Sequence, residues 1–542
     1  MTLSRLKQPF PCNNLVFILL AAGFFTVFEN IALWARLWPL LSFNRASDYL
    51  FALSIPLFIF ATLNFFFSLF LQRWISRPLL MVLLLISAAV NYFCLTYGVS
   101  IDTGMIQNTV QTDGQEAFTL ITPQLIGWIL ALGVLPALVV SRVRLTYHPA
   151  WWYNVGLSLL SILASIFVIA LIAMLFYKDY APLVRNNKPL VKLVTPTNFI
   201  SSTYSYIRQV HHGAQPLIRI GLDARKTVSA NRKKSLFIIV VGETARAENF
   251  SLNGYAHQTN PLLAQRDVIN FRQASSCGTA TAVSVPCMFS NMPREHYDAA
   301  LAEHQEGLLD VLSHAKFNLL WRENDGGCKG ACDRIPNEVL QKLNPKLPCV
   351  GDLCRDEELL NGLDDYLNRQ KDDTVIVLHT NGSHGPAYYE RYPQDKRRFT
   401  PTCDSNQIQN CDRQTLINTY DNSIVYTDYV LDQVISLLQR HEGQFSGAML
   451  YLSDHGESLG ENGLYLHGTP YMIAPSQQTH IPMVFWSSPS FLSERGINRS
   501  CLAQNAQNKP YSQDNLFHSV LGVLDVNTKE YDPKLDLFHA CR

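Results

Sequence analysis

The chain has 542 residues, too many for one ordinary domain, and its 44 Lys plus Arg equal its 44 Asp plus Glu. That balance excludes nucleic acid as a partner, since no basic stripe is present to neutralise a run of phosphates. The near-zero mean hydropathy averages two unlike parts, because the first 180 residues are far more apolar than the rest.

Apolar windows at roughly 14–34, 50–71, 78–97, 123–141 and 152–177 are each long enough to cross about 30 Å of hydrocarbon as a helix. They predict a five-helix transmembrane domain over 1–177. The first window follows Arg5 and Lys7 as a signal peptide would, but it is too long, lacks a small-residue cleavage site and precedes four more spans. The N-terminus, the second loop (Arg73, Arg77) and the fourth loop (Arg142, Arg144) carry the Lys and Arg. The third loop, about 98–122, has Asp102, Asp113 and Glu116 and no base, and the first has Arg36 and Arg45 with Asp48. A cytoplasmic N-terminus follows, with everything after residue 177 outside. Glu29 lies late in the first span and either faces a partner or snorkels to the outer surface. Asn108, Thr112 and Glu116 recur at i, i+4 and i+8 and would line one face of an outward helix, a pattern that a solvated face also gives. Residues 178–233 mix apolar pairs with Lys and Arg, as in Leu183-Val184-Arg185, and suit an interfacial linker in which the adjacent His211 and His212 are solvated.

From residue 234 to 542 the pattern is that of an α/β domain. The candidate strands 236–241, 318–321, 374–378, 448–452 and 481–486 alternate with helical stretches at 305–315, 355–369 and 414–440, which implies a largely parallel, buried sheet. Ten of the twelve cysteines fall after residue 270, with irregular spacing and no C-x2-C pair, so they read as disulfides of an oxidising compartment rather than zinc thiolates. Pairing neighbours in order gives Cys277–Cys287, Cys328–Cys332, Cys349–Cys354, Cys403–Cys411 and Cys501–Cys541, although sequence alone does not fix connectivity.

Ligands of such sheets sit beyond the carboxyl ends of the strands. There stand Glu243, then His379 and His384, then Asp454 and His455, with His467 twelve residues further on in a Gly-rich loop. Glu243, Asp454 and His455 would give a tetrahedral zinc three ligands and leave a position open. Each residue alone has a plainer reading, a helix cap or a structural histidine, and only their joint occurrence favours a metal site. The tract Ser275 to Ser284 offers several hydroxyls that a metal would activate as nucleophiles, though its composition also fits a turn of small residues leading into a helix.

The motifs Val241-Gly242-Glu243-Thr244-Ala245-Arg246, Ser276-Cys277-Gly278-Thr279-Ala280-Thr281, Ser284-Val285-Pro286-Cys287-Met288-Phe289-Ser290 and Ser453-Asp454-His455-Gly456-Glu457-Ser458 resemble those of the lipid A phosphoethanolamine transferases, which include the mobile colistin-resistance enzymes. The resemblance covers essentially the whole chain. It implies an alkaline-phosphatase-like, sulfatase-related α/β/α fold for the outer domain, Thr281 as nucleophile, and a zinc held by Glu243, Thr281, Asp454 and His455. It implies substrate contacts from Lys329, His379, His384 and His467 and from Asn108, Thr112 and Glu116. Gly326 departs from relatives that carry a serine there. The implied reaction takes phosphoethanolamine from phosphatidylethanolamine through a phosphoethanolamine-threonine intermediate to a lipid A phosphate, at a bacterial inner membrane with the catalytic domain in the periplasm. A second zinc on His384 and His467 is compatible with the pattern. A sulfatase would need a modifiable Cys or Ser where Thr281 stands, a membrane sensor would not need a nucleophile beside a metal triad, and transfer of phosphoethanolamine or phosphoglycerol to another envelope glycan is the nearest alternative.

Overall fold

The computed structural model describes residues 10–41, 43–112, 114–211, 216–227, 232–340, 349 and 354–542. By internal packing the chain forms two units, Met1–Ile106 with Ile121–Ser205, and Gln107–Leu120 with Tyr206–Arg542.

In the first unit the helices Ala46–Phe70, Ser76–Thr96, Pro123–Arg142 and Trp151–Tyr180 are long and apolar enough to cross a membrane. The expected first span is instead a bent pair, Asn14–Val27 and Ile31–Leu40, meeting at 47°. Side-chain amides satisfy the backbone groups that the break frees. Asn30 Nδ2 donates to Phe25 O and Thr195 O, and Asn30 Oδ1 accepts Thr195 N–H, each at 2.9 Å. Asn91 accepts from Ala32 N–H and donates to Phe28 O. The bend tucks Glu29 inward, so it does not snorkel: it is fully buried, and neither carboxyl oxygen has a hydrogen-bond partner among the described residues. Elsewhere Asn64 Nδ2 donates to Ser161 Oγ and Ser165 Oγ, joining two helices through polar contacts where lipid supplies no hydrophobic drive. Leu159, Leu160, Leu163 and Phe167 stay exposed on the last long helix. That helix runs on to Asn186 and is followed by a 3-10 turn, Lys188–Leu193, and a helix, Thr197–His211, so much of the expected linker is helical. His212 lies outside the described residues, as does the side chain of His211.

The third loop forms two short helices, Thr103–Gln111 and Gly114–Thr119, not one. One helix stops at Gln111 and the next begins at Gly114, so no single helix carries the repeat through Asn108, Thr112 and Glu116. Asp113 and the side chain of Glu116 lie outside the described residues.

The second unit is built on eight strands: β1 Lys234–Gly242, β2 Ile269–Ser275, β3 Asn318–Glu323, β4 Asn337–Val339, β5 Thr374–His379, β6 Phe445–Ser453, β7 His480–Ser487 and β8 Tyr511–Ser512. They form one sheet in the order β8-β2-β7-β6-β1-β5-β3-β4. From β6 to β4 the strands are parallel, while β7 runs antiparallel to both β2 and β6. The run Leu-Phe-Ile-Ile-Val-Val of β1 is apolar on both faces because both faces are covered. Phe237, Ile239 and Val241 pack in one core with Leu309, Leu312, Phe517 and Leu521. Leu236, Ile238 and Val240 pack in the other with Leu416, Ile424 and Leu431 of the helix Arg413–Arg440.

All five expected strands are present, and β2, β4 and β8 are additional. The expected helix 355–369 divides at Asn361-Gly362, where Gly362 has φ +73°, into a 3-10 turn and Leu363–Arg369. The expected helix 305–315 begins only after Gly307, whose N–H is accepted by Asp310. The five cysteine pairs expected from their order are the five disulfides observed.

Candidate active site

Register aligns the carboxyl ends of the central strands. Gly242 pairs with Ser453, Val241 with His379, and Glu323 with His379, so Glu243, Asp454, His379 and Glu323 emerge along one edge. Gly382, at φ +51°, lets the following loop lie against Glu243: a Cβ there would stand 2.6 Å from Glu243 O, which also accepts Ser383 N–H.

Glu243, Asp454 and His455 are wholly buried, with donor atoms all within 4.8 Å of one another. His455 Nδ1 lies 2.9 Å from Gly456 O, which makes Nδ1 the protonated nitrogen and leaves a lone pair on Nε2. That lone pair is 3.2 Å from Asp454 Oδ2 and 3.4 Å from Glu243 Oε1. Asp454 Oδ1 accepts Thr244 N–H and His455 N–H, whereas Oδ2 has no hydrogen-bond partner among the described residues. Thr281, the first residue of the helix Thr281–Met288, holds Oγ1 at 3.2 Å from each Glu243 oxygen and 3.4 Å from His455 Nε2. One hydroxyl proton cannot satisfy so many converging acceptors, and a divalent cation can. Burial pushes Asp454 up to about 6, and burial with the nearby His467 keeps His455 well below the usual imidazole range, a neutral donor.

The competing hydroxyls point elsewhere. Thr279 Oγ1 donates to Thr469 O at 2.7 Å, and Ser284 Oγ accepts Gly278 N–H at 3.0 Å.

His379 is buried with Nδ1 3.0 Å from Glu323. Burial would lower its pKa, but Glu323, Asp325 and Asp454 together raise it to about 9. His384 and His467 have ring centroids 5.3 Å apart, and His467 lies 4.5 Å from the ring of His455. Burial and the neighbouring His467 push His384 down to about 3. Lys329, at φ +49°, donates to Gly326 O at 2.7 Å and lines a cavity of about 460 Å³ with Gln107, Gln111 and Ala282. Asn108 and Thr112 bond to each other locally, Thr112 Oγ1 to Asn108 O. Among the described residues of the loop, Gln107 reaches the Thr281 helix, with Nε2 3.5 Å from Ala282 O.

Sequence reasoning missed Glu323, Asp325 and Gln513. Gln513 Nε2 donates to Ser453 O and Asp454 O while its Oε1 accepts Cys277 N–H, tying the Thr281 loop to the Asp454 strand. Glu323 closes a strand, the same signal that Glu243 gave.

Residues 235–526 match the family model Sulfatase, and residues 59–210 match the model Phosphoethanolamine transferase EptA/EptB. Phosphoethanolamine transferase EptA of Escherichia coli strain K12 is 47% identical over 539 residues, 99% of this chain and 98% of that protein. The chain belongs to the EptA family of phosphoethanolamine transferases. Phosphatidylethanolamine transferase Mcr-1 of Escherichia coli is 39% identical over 492 residues, 87% of this chain and 89% of that one. The solved integral membrane protein lipooligosaccharide phosphoethanolamine transferase A (EptA) from Neisseria meningitidis matches at a TM-score of 0.94 and 41% identity, covering 98% of this chain and 100% of that chain. The expected family is borne out, as is a fold that joins an apolar helical domain to a sulfatase-like one.

Proposed function

We propose that the protein transfers phosphoethanolamine from phosphatidylethanolamine to a lipid A phosphate of lipopolysaccharide, giving resistance to cationic polymyxin-type peptides. The observation that carries this reading is the Thr281 hydroxyl 3.2 Å from both oxygens of Glu243, inside a cluster of acceptors that calls for a cation, in a chain of this family.

Thr281 Oγ1 attacks the phosphorus of phosphatidylethanolamine, a new O–P bond forms, and the bond to the diacylglycerol oxygen breaks. A lipid A phosphate oxygen then attacks the same phosphorus and Thr281 Oγ1 leaves, which divides one hard displacement into two. Glu243, Asp454 and His455 would hold a zinc ion, which supplies a Lewis acid that lowers the hydroxyl pKa and takes charge from the transferred phosphate. The Thr281 proton has Glu243 as its nearest acceptor. His384 or His467, whose rings lie 5.3 Å apart, is assigned to carry a proton to the leaving oxygen. Lys329, Asn108, Thr112 and Glu116 are assigned to the phosphoethanolamine headgroup, whereas both ring nitrogens of the buried His379 face carboxylates, Glu323 and Asp325. Both substrates are lipids, which accounts for the apolar domain. Loop charges and five disulfides support a cytoplasmic N-terminus and a periplasmic catalytic domain at the inner membrane.

The test is mass spectrometry of lipid A from cells carrying Thr281→Ala, Thr279→Ala or Ser284→Ala. Thr281→Ala should remove the added phosphoethanolamine, and the other two should retain part of it. Incubation with phosphatidylethanolamine alone should leave the group on the Thr281 peptide unless zinc is chelated. An active Thr281→Ala enzyme, or an adduct on Thr279, overturns the assignment.

A further inference from the structure

A second set of donors shares Glu243. Asp325, His379 and Glu243 have potential ligand atoms all within 4.8 Å of one another. Glu243 and His379 are fully buried, and the Asp325 side chain is 11% exposed. The orientation of His379 is fixed from behind: its Nδ1 is 3.0 Å from Glu323 Oε2, which also accepts Trp321 Nε1–H at 2.8 Å, while Glu323 Oε1 accepts Asp325 N–H at 2.7 Å. A carboxylate that holds one imidazole nitrogen so that the other presents its lone pair is the usual support of a metal-bound histidine. The other nitrogen, Nε2, is buried, has no hydrogen-bond partner among the described residues, and faces Asp325 Oδ2 at 3.9 Å. That separation is too long for a hydrogen bond, yet two ligands that each lie about 2.1 Å from one ion stand about 3–4 Å apart. Asn381 Nδ2 donates to Asp325 Oδ1, the oxygen other than the one that faces His379.

We propose that Glu243, Asp325 and His379 form a second divalent-cation site, joined to the Glu243–Asp454–His455 site through the shared Glu243. The proposal rests on the reading of that first cluster as a cation site. One imidazole and two carboxylates suit zinc or manganese. Ions that share a site in phosphoryl transfer stand about 3.5–4 Å apart and divide the charge of the reacting phosphate between them. Here the second ion would balance Asp325 and bring another positive charge to the transferred group.

The experiment uses the full-length chain in detergent, stripped by chelator and dialysed against Zn2+, with metal per chain measured by plasma mass spectrometry. The unaltered chain should hold two equivalents. Asp325→Asn and His379→Gln should each hold one, His455→Gln one, and Glu243→Gln neither. A variant that keeps one equivalent reports its own intact fold; if Asp325→Asn holds none, His379→Gln decides, and both holding none overturns the arrangement. Saturation of the unaltered chain at one equivalent overturns it too, and is the result if His379 is instead a doubly protonated imidazolium. Loss of the second equivalent in His384→Gln or His467→Gln but not in Asp325→Asn also overturns it. An unchanged count in His455→Gln would instead sink the first site, so the two failures are distinguishable.

Discussion

Gly456→Ala would drive a methyl group into backbone directly behind the candidate metal ligands. The added Cβ would stand 2.0 Å from Gln477 O, 3.0 Å from Gln477 C and 3.3 Å from Gln478 Cα. Ordinary contact begins at about 3.4 Å, so about 1.4 Å must come from backbone movement. The obstacle is firmly held, since Gly456 N–H donates to Gln478 O and Glu457 N–H to Gln477 O, each at 2.9 Å. Overpacking of this kind costs about 1–3 kcal/mol of stability, which a domain of this size tolerates. The effect on catalysis is larger. His455 precedes the glycine and its Nδ1 bonds to the carbonyl of Gly456, so the shift passes to Nε2, and misplacing a reacting group by about 1 Å costs about 100-fold in rate. Transfer from a fluorescent phosphatidylethanolamine should therefore fall about 100-fold, while the thermal midpoint drops a few degrees and responds less to added zinc. Gly443→Ala, where a Cβ meets nothing within 4 Å, should change neither. A Gly456→Ala enzyme with near-full activity and undiminished stabilisation by zinc would refute the reasoning.

Asp373→Asn should lower the thermal midpoint at pH 7 and make less difference as the pH falls. Burial pushes the Asp373 carboxyl up, but Ser235 N–H at 2.8 Å and the Lys226 ammonium at 3.0 Å outweigh it and hold it below the usual value. Its contribution, about 1 kcal/mol after allowance for partial exposure, is present above the ordinary carboxylate value and lost as the pH falls through the lower folded value. A midpoint difference that persists undiminished at low pH would contradict this. Replacing Cys277 and Cys287 together by serine should cost about 2–3 kcal/mol and also most of the activity, because that disulfide closes the segment containing Thr281. The same change at Cys501 and Cys541 should cost stability and spare turnover once the enzyme is folded. Alkaline phosphatase fused after residue 230 should be active, and an inactive fusion would reverse the proposed orientation.

The strands read from sequence are those with unbroken apolar runs, such as Leu236–Val241 and Ala448–Leu452. β2 escaped because Asn270, Arg272 and Gln273 interrupt its run, and β4 and β8 are too short to give any pattern. The reading of β3 stopped at Trp321, two residues before Glu323, so the strand-end rule that pointed to Glu243 and Asp454 never reached Glu323 or Asp325. Chemistry alone could not choose among three hydroxyls, because the choice depends on which of them turns to backbone carbonyls and amides. The bend at Glu29 has no proline or glycine to announce it; it is held by Asn30 and Asn91, whose partners lie 165 and 59 residues away. In the third loop a regular spacing suggested one helix, and spacing carries no information about a stop at Gln111.

Both rims of the eight-stranded sheet end in very short strands, two residues in β8 and three in β4. Edge strands that short are poor templates for another chain, and beyond the two-residue pairing with β8 the edge of β2 carries the polar Asn270, Arg272 and Gln273. The long apolar strands β1, β5 and β6 are each flanked on both sides, so the segments most able to aggregate are the ones that never form a boundary. The chain thus keeps its stickiest sequence where only its own neighbours can reach it.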